Sequence, residues 1–155
     1  MSTFPFVPRF IVLLACTVLL TACQTLGQAG LVQSTVTTEL TPDAASTIAS
    51  DMVGRLAEQV GPGSTTIGLT PDGSVFSQAL EASLQKWGYA LVTDQKTDNA
   101  SLVGLAYVVD DFEGSVLVRI STLSFDLTRM YKISAEGATP VSPLSIRQHS
   151  SGSSV

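Results

Sequence analysis

Two cysteines, one histidine and one compact acidic cluster are the residues of this 155-residue chain whose types could carry chemistry. Cys16 and Cys23 lie near the N-terminus, His149 lies near the other end, and Asp110, Asp111 and Glu113 stand almost side by side. Cys23 has the sharpest context. It follows Leu20, Thr21 and Ala22, a bulky apolar residue and then two small ones, at the close of an apolar stretch. A cysteine thiolate is a nucleophile, and Ala22 is the kind of small residue that signal processing favours just before a cut.

The run Leu20, Thr21, Ala22, Cys23 resembles a bacterial lipobox, in which the cysteine takes the lipid and becomes the first residue after cleavage. Arg9 is the one charge before it, and residues 10–20 form an apolar core of the length found in signal peptides. At roughly 11 residues that core is too short for a helix spanning about 30 Å of hydrocarbon, which takes about 20 residues. Residues 1–22 therefore read as a lipoprotein signal peptide. An uncleaved anchor and a plain secretory signal are the rival readings; the plain signal prefers a small residue where Leu20 stands. Cys16 follows the bulky Leu14 and Ala15, a poorer match, and reads as apolar filler in the signal.

Cleavage leaves one cysteine whose sulfur the lipid occupies, so no intramolecular disulfide is expected despite an oxidising compartment. Acyl chains on the thioether and on the new amine would hold the chain firmly, since each buried methylene contributes about 0.8 kcal/mol and one chain alone binds marginally. Gln24 follows the cysteine. In lipoprotein sorting an aspartate there retains the protein at the inner membrane, so by that resemblance Gln24 directs the chain to the outer membrane, facing the periplasm.

The other candidates point away from catalysis. His149 falls in a Ser-rich stretch expected to be mobile, where nothing would orient it as a base. The chain has no Gly-x-Ser-x-Gly elbow, and a metal site built on histidine or cysteine would lack ligands. Asp110, Asp111 and Glu113 could hold a hard cation if backbone carbonyls joined them, but a solvated hairpin turn is the expected role. The expectation is a non-enzyme with no metal and no cofactor beyond the covalent lipid on Cys23. Removing residues 1–22 deletes Arg9 alone among the charges, which lowers the basic count from 8 to 7 against 13 acidic residues. That balance opposes the basic footprint of a protein binding nucleic acid directly.

The elements that position these residues follow from patterning. Residues 23–42 read as a lipidated N-terminus and linker, with a reach of roughly 23 Å for about 18 flexible residues. Within it, residues 31–40 are rich in Val and Thr and read as a strand that could dock on a partner's sheet edge. Thr41, Pro42 and Asp43 then form a helix start: a cap, a proline at the first position and an acid at the positive end of the dipole. Ile48, Met52, Val53, Leu56 and Val60 place one apolar face on a helix to about residue 60.

A short strand over 65–69, a turn at Pro71, Asp72 and Gly73, and a cap at Asp72 or Ser74 lead to a second helix ending near Gly88. Its stripe of Val75, Phe76, Ala79, Leu80, Leu84 and Trp87 predicts core packing for Trp87. Strands follow over 89–93, 102–109, 116–121 and 125–133, separated by a polar loop at 94–100 and a turn at 110–114. Residues 102–109 are apolar on both faces and so expected to be central. Arg119, Arg129 and Lys132 punctuate the last strands and are expected on the sheet's solvated face. The prediction is an α+β periplasmic domain over 43–135, with two helices packed on one face of a small, largely antiparallel sheet, and a flexible tail over 136–155.

Three stretches carry a family resemblance: residues 50–63; residues 76–95, with Gln78, Ala79, Leu80 and Glu81 leading into Trp87, Gly88 and Tyr89; and residues 137–145. With Cys23 they resemble the TrbH family of conjugal transfer lipoproteins from Cys23 to about Arg147. The resemblance implies an outer-membrane lipoprotein of the mating-pair formation machinery, a type IV secretion system. It would anchor or stabilise the channel's core complex, with periplasmic and outer-membrane channel subunits as partners. An entry-exclusion or envelope-maintenance lipoprotein outside the channel is the alternative, since it would share the signal and the acidity.

Overall fold

The structure is a computed structural model and describes residues 33–93 and 102–150. The signal peptide, Ala22, Cys23, Gln24 and residues 31–32 of the expected docking strand lie outside the described residues, as do residues 94–101 and 151–155.

The first helix, α1 (Pro42–Gln59), begins where its sequence demands. Thr41 Oγ1 accepts the Ala44 amide at 3.2 Å and Pro42 occupies the first turn, so one orphan donor is capped and another does not exist. Ile48, Met52, Val53 and Leu56 are fully buried on one face. Burying each large side chain contributes about 1.5–3 kcal/mol, which is why the face is set by spacing more than by propensity.

A 3-10 turn (Pro62–Ser64) leads into the strand β2 (Thr66–Leu69), and α2 (Val75–Lys86) follows. Ser74 is its cap, accepting the Ser77 amide at 3.0 Å, while Asp72 Oδ1 accepts the Ser74 amide at 2.9 Å and braces the turn. Gly88, at φ 92°, reverses the chain at the helix end, in the left-handed region a side chain disfavours. The strand β3 (Ala90–Val92) then lies parallel to β2.

The remaining strands are β4 (Leu102–Phe112), β5 (Ser115–Ser121), β6 (Phe125–Ser134), β7 (Gly137–Pro140) and β8 (Ser145–Gln148). A two-residue strand, β1 (Thr35–Val36), precedes them all. The sheet runs β3-β2-β4-β5-β6-β7, with β1 also on β4 and β8 also on β6. β2 and β1 pair parallel to β4, and every contact from β4 onward to β8 is antiparallel. The domain is therefore α+β, with a mixed, mostly antiparallel sheet, and β4 is its central strand as its two apolar faces require.

Alternation decides what faces the helices. Tyr107 and Val109 of β4, Val116, Val118 and Ile120 of β5, and Leu127 and Tyr131 of β6 are all buried, in register across the sheet beneath the helices. The opposite face carries Val108, Arg119 and Thr128 in one row.

Three expectations change. The turn after β4 is shorter: Asp110, Asp111 and Phe112 pair with Leu117, Val116 and Ser115, and only Glu113 and Gly114 turn. Both carry positive φ, 50° and 71°, the type I′ geometry whose twist matches the flanking strands. Trp87 is 44% exposed; its ring lies against α1 at Gly54, where an added Cβ would stand 3.3 Å from Trp87 Cζ2. It covers the outside of the helix pair and is not a core residue, because the helix has already ended at Lys86 and the ring leaves the buried stripe.

The chain beyond Glu136, read as a flexible tail, returns to the sheet through β7 and β8 as far as the described residues run. Its Gly, Pro and Ser content signalled mobility, but β6 offers ten residues of open edge, which two short strands cover in turn.

Candidate functional site

Among the described residues a concave site lies beside β1. The 31–40 segment, expected to be free for a partner, is partly used by its own sheet: Thr35 and Val36 pair with Val108 and Val109. Ser34 Oγ accepts the Tyr107 amide at 3.3 Å, and the Thr37 amide donates to Val109 O at 2.9 Å. Thr37 Oγ1 also donates to Asp110 Oδ1. These contacts fix the segment along the far half of β4, in line with β2.

On the other side of β1 is a groove of about 560 Å³. Residues 36–40 form one wall, and residues 72–76, the turn and first residues of α2, form the other. Glu39 and Asp72 are the charged residues of the lining, so the groove is acidic. Asp72 feels opposing effects: burial pushes its carboxyl up, but hydrogen bonds from Ser74 outweigh it and hold the group below its ordinary value. Asp72 is therefore a carboxylate at neutral pH.

Behind the turn sits Tyr107, fully buried, with its ring 5.3 Å from that of Phe76 in an edge-to-face contact. Its hydroxyl faces Asp72, Ser74 and Ser77, close enough for Tyr107 and Asp72 to influence each other's ionisation. No hydrogen bond of acceptable geometry joins it to any of them. Burial, then the nearby Asp72 carboxylate, push the phenol up.

The basic residues separate. Lys132 is exposed on the open face and donates to Gly114 O at 2.8 Å. Arg119 shares that face, and its Nε is buried without a partner. Arg129 does not share it. Its Nη1 donates to Asp51 Oδ2 at 2.8 Å and its Nε to Ser142 O at 3.1 Å, under α1. The reason is parity: Arg129 pairs with Val118 and lies two residues from Tyr131, so it projects to the helix-covered side.

His149, expected to be mobile and unoriented, is held. One ring nitrogen lies 3.2 Å from Leu123 O and the other 3.0 Å from Asp126 Oδ2. Burial pushes the Asp126 carboxyl up, but hydrogen bonds from Ser121 and His149 and the charge of Arg119 bring it below its ordinary value. Asp110, Asp111 and Glu113 spread along a strand and a turn, and among the described residues no group of histidine, cysteine or carboxylates is placed to hold a metal ion. Cys23 lies outside the described residues, so the structure bears on the folded domain alone. The groove had no signal in the sequence beyond the β-forming run at 31–40, because it arises from a contact between segments more than thirty residues apart.

A family model described as "Conjugal transfer protein TrbH" matches residues 26–150. A "Probable conjugal transfer protein TrbH" of Sinorhizobium fredii (strain NBRC 101917 / NGR234) is 49% identical over 135 residues, covering 84% of this chain and 90% of that relative. No solved structure matches the chain.

Proposed function

The chain belongs to the TrbH family of conjugal transfer proteins and so has a role in conjugation, and from that premise we propose that it is a lipid-anchored outer-membrane component of a conjugative type IV secretion system. In this reading Cys23 carries the lipid after cleavage at Ala22, and residues 24–32 connect the anchor to the periplasmic domain. The domain works by binding and not by catalysis. It anchors or stabilises periplasmic and outer-membrane subunits of the channel and touches no nucleic acid itself.

The observation that carries this reading is the conjunction of a family match spanning residues 26–150 with the run Leu20, Thr21, Ala22, Cys23 immediately before it. Tethering a binding domain to the membrane that holds its partners raises their effective concentration to the millimolar range for short flexible linkers, so weak contacts suffice. The test is purification of the lipidated protein from donor membranes. Secretion-channel subunits should come with it, and a gene deletion should lower plasmid transfer. A deletion strain that transfers normally would overturn the role.

A further inference from the structure

We infer that His149 is a proton-operated latch on the last strand: the protonated ring ties the end of β8 to β6 and to the turn before it, and loss of the proton loosens β8 from the edge of β6.

β8 has little else to hold it. All four of its residues are exposed, so beyond its backbone pairing with Phe125, Asp126, Leu127 and Thr128 it gains little from burial. A short strand of that kind opens at low cost. His149 follows directly and fixes the strand end at three points. Its amide donates to Ser124 O at 2.7 Å, and its ring reaches Leu123 O at 3.2 Å through Nδ1 and Asp126 Oδ2 at 3.0 Å through Nε2.

The two ring contacts set the proton requirement. A backbone carbonyl and an ionised carboxylate can only accept, and a neutral imidazole carries a single N–H. It can therefore donate to one of them, and its other nitrogen then turns a lone pair toward an oxygen. The imidazolium donates to both and sets a positive charge against Asp126. The observed geometry suits the protonated ring.

The groups around the ring leave it as the one that varies. Asp126, on β6, is held below its ordinary 3.8 and keeps its charge at neutral pH. Arg119, on β5, acts on the same carboxylate, and Arg147 of β8 lies opposite Asp126 in the register. Guanidinium groups stay charged throughout. Histidine is the side chain whose ordinary titration falls between about pH 5 and 8, and His149 is the one histidine of the chain. Its side chain is 35% exposed, so solvent protons reach it. The hold on β8 is complete where the ring is protonated and is lost as pH rises. The β6 residues that β8 covers then present an open edge.

Hydrogen exchange of the full chain in detergent tests this at about pH 5.5 and about pH 8, the two sides of the imidazole range. At each pH the protection of residues 145–149 is compared between the wild type and His149→Gln, so that base catalysis of exchange cancels. Glutamine has no proton to gain. At the lower pH the wild type should be about threefold better protected, the size of one exposed ion pair, and at the higher pH the two should agree. β2, at the other side of the sheet, is the internal reference and should not change. A wild-type advantage equal at both pH values, or absent at both, would overturn the latch. So would a change of the same size in β2, which marks a loss of stability of the whole fold. If His149→Gln does not fold, the wild type alone decides: protection of 145–149 relative to β2 should fall about threefold from the lower pH to the higher, and a constant ratio would overturn the inference.

Discussion

The Tyr131 phenol donates to Asp51 Oδ2 at 2.6 Å, on the same carboxylate oxygen that takes Arg129 Nη1 at 2.8 Å. One oxygen of α1 thus gathers two side chains of β6, fixing the rotation of the helix on the sheet. Arg55, one turn along α1, stands 3.8 Å from the other Asp51 oxygen and adds a weaker, more exposed pairing. The apolar face of α1 positions the helix, but grease tolerates sliding and this shared acceptor does not.

Removing the shared acceptor should therefore cost more than removing either donor. Asp51→Ala strands a cation and a phenol, and breaking buried pairs costs about 3–5 kcal/mol; the pair keeps some solvent contact, so about 2–3 kcal/mol is expected. Tyr131→Phe deletes one hydrogen bond and should cost about 1 kcal/mol. Urea denaturation of both variants measures the difference, and equal losses would mean the arginine contact carries little.

The same phenol predicts an alkaline limit. Burial first, and then the hydrogen bond to Asp51, raise the Tyr131 ionisation above its ordinary 10.0. A group raised on folding gives stability that is whole below its unfolded value and is lost as pH climbs toward its folded value. Thermal stability should fall above pH 10, and Tyr131→Phe should flatten that fall. Tyr89 and Tyr107 are raised in the same direction by burial, so some slope should persist.

At the acid end Asp126 sets the opposite trend. Its carboxyl lies below the ordinary 3.8, so its contribution is whole above that value and is lost as pH falls through the lower, folded one. Asp126→Asn should lose stability at neutral pH and show a shallower decline below pH 4. His149→Ala should share part of the effect, since the ring is one of the two hydrogen-bond partners of that carboxyl. An unchanged acid midpoint in both variants would show that β8 is held by its backbone pairing alone.

Gly137 is a tighter constraint. It opens β7 at φ 130°, and an added Cβ would stand 2.9 Å from Thr47 Oγ1 on α1. Gly137→Ala should destabilise by about 1–3 kcal/mol through backbone strain and overlap together. Adding Thr47→Ala should restore only the overlap part, so a double variant as stable as wild type would mean the backbone carries no strain there.

How far these features were legible in the chain depends on whether their cause is local. The starts of both helices were legible, because Thr41 and Ser74 cap amides three residues ahead of them. The central place of β4 was legible from its two apolar faces. The fate of 137–148 was not, since Gly, Pro and Ser content describes what a segment prefers alone, and the open edge of β6 that captures it is set elsewhere. Arg129 shows the same limit at one residue: a cation in a strand reads as exposed unless the Asp51 that neutralises it, 78 residues away, is known to face it. The groove is of this kind too. Glu39 and Asp72 become one acidic site only after β1 and α2 have both been placed.

The lipid makes the remaining prediction, and it separates anchor from domain. Cys23→Ser removes the thiol, so neither acylation nor the cleavage that depends on it should occur, and the protein should run larger and without incorporated labelled palmitate. If residues 24–32 serve as a tether, the variant's domain should fold as before and melt at the same temperature, because among the described residues the buried core begins at Leu40. Plasmid transfer from a donor carrying only this variant should fall toward the level of the deletion. A second donor, in which residues 1–22 are replaced by a cleavable signal and Cys23 by serine, frees the domain in the periplasm. Normal transfer from that donor would mean that binding alone carries the function and that the anchor serves only to concentrate it.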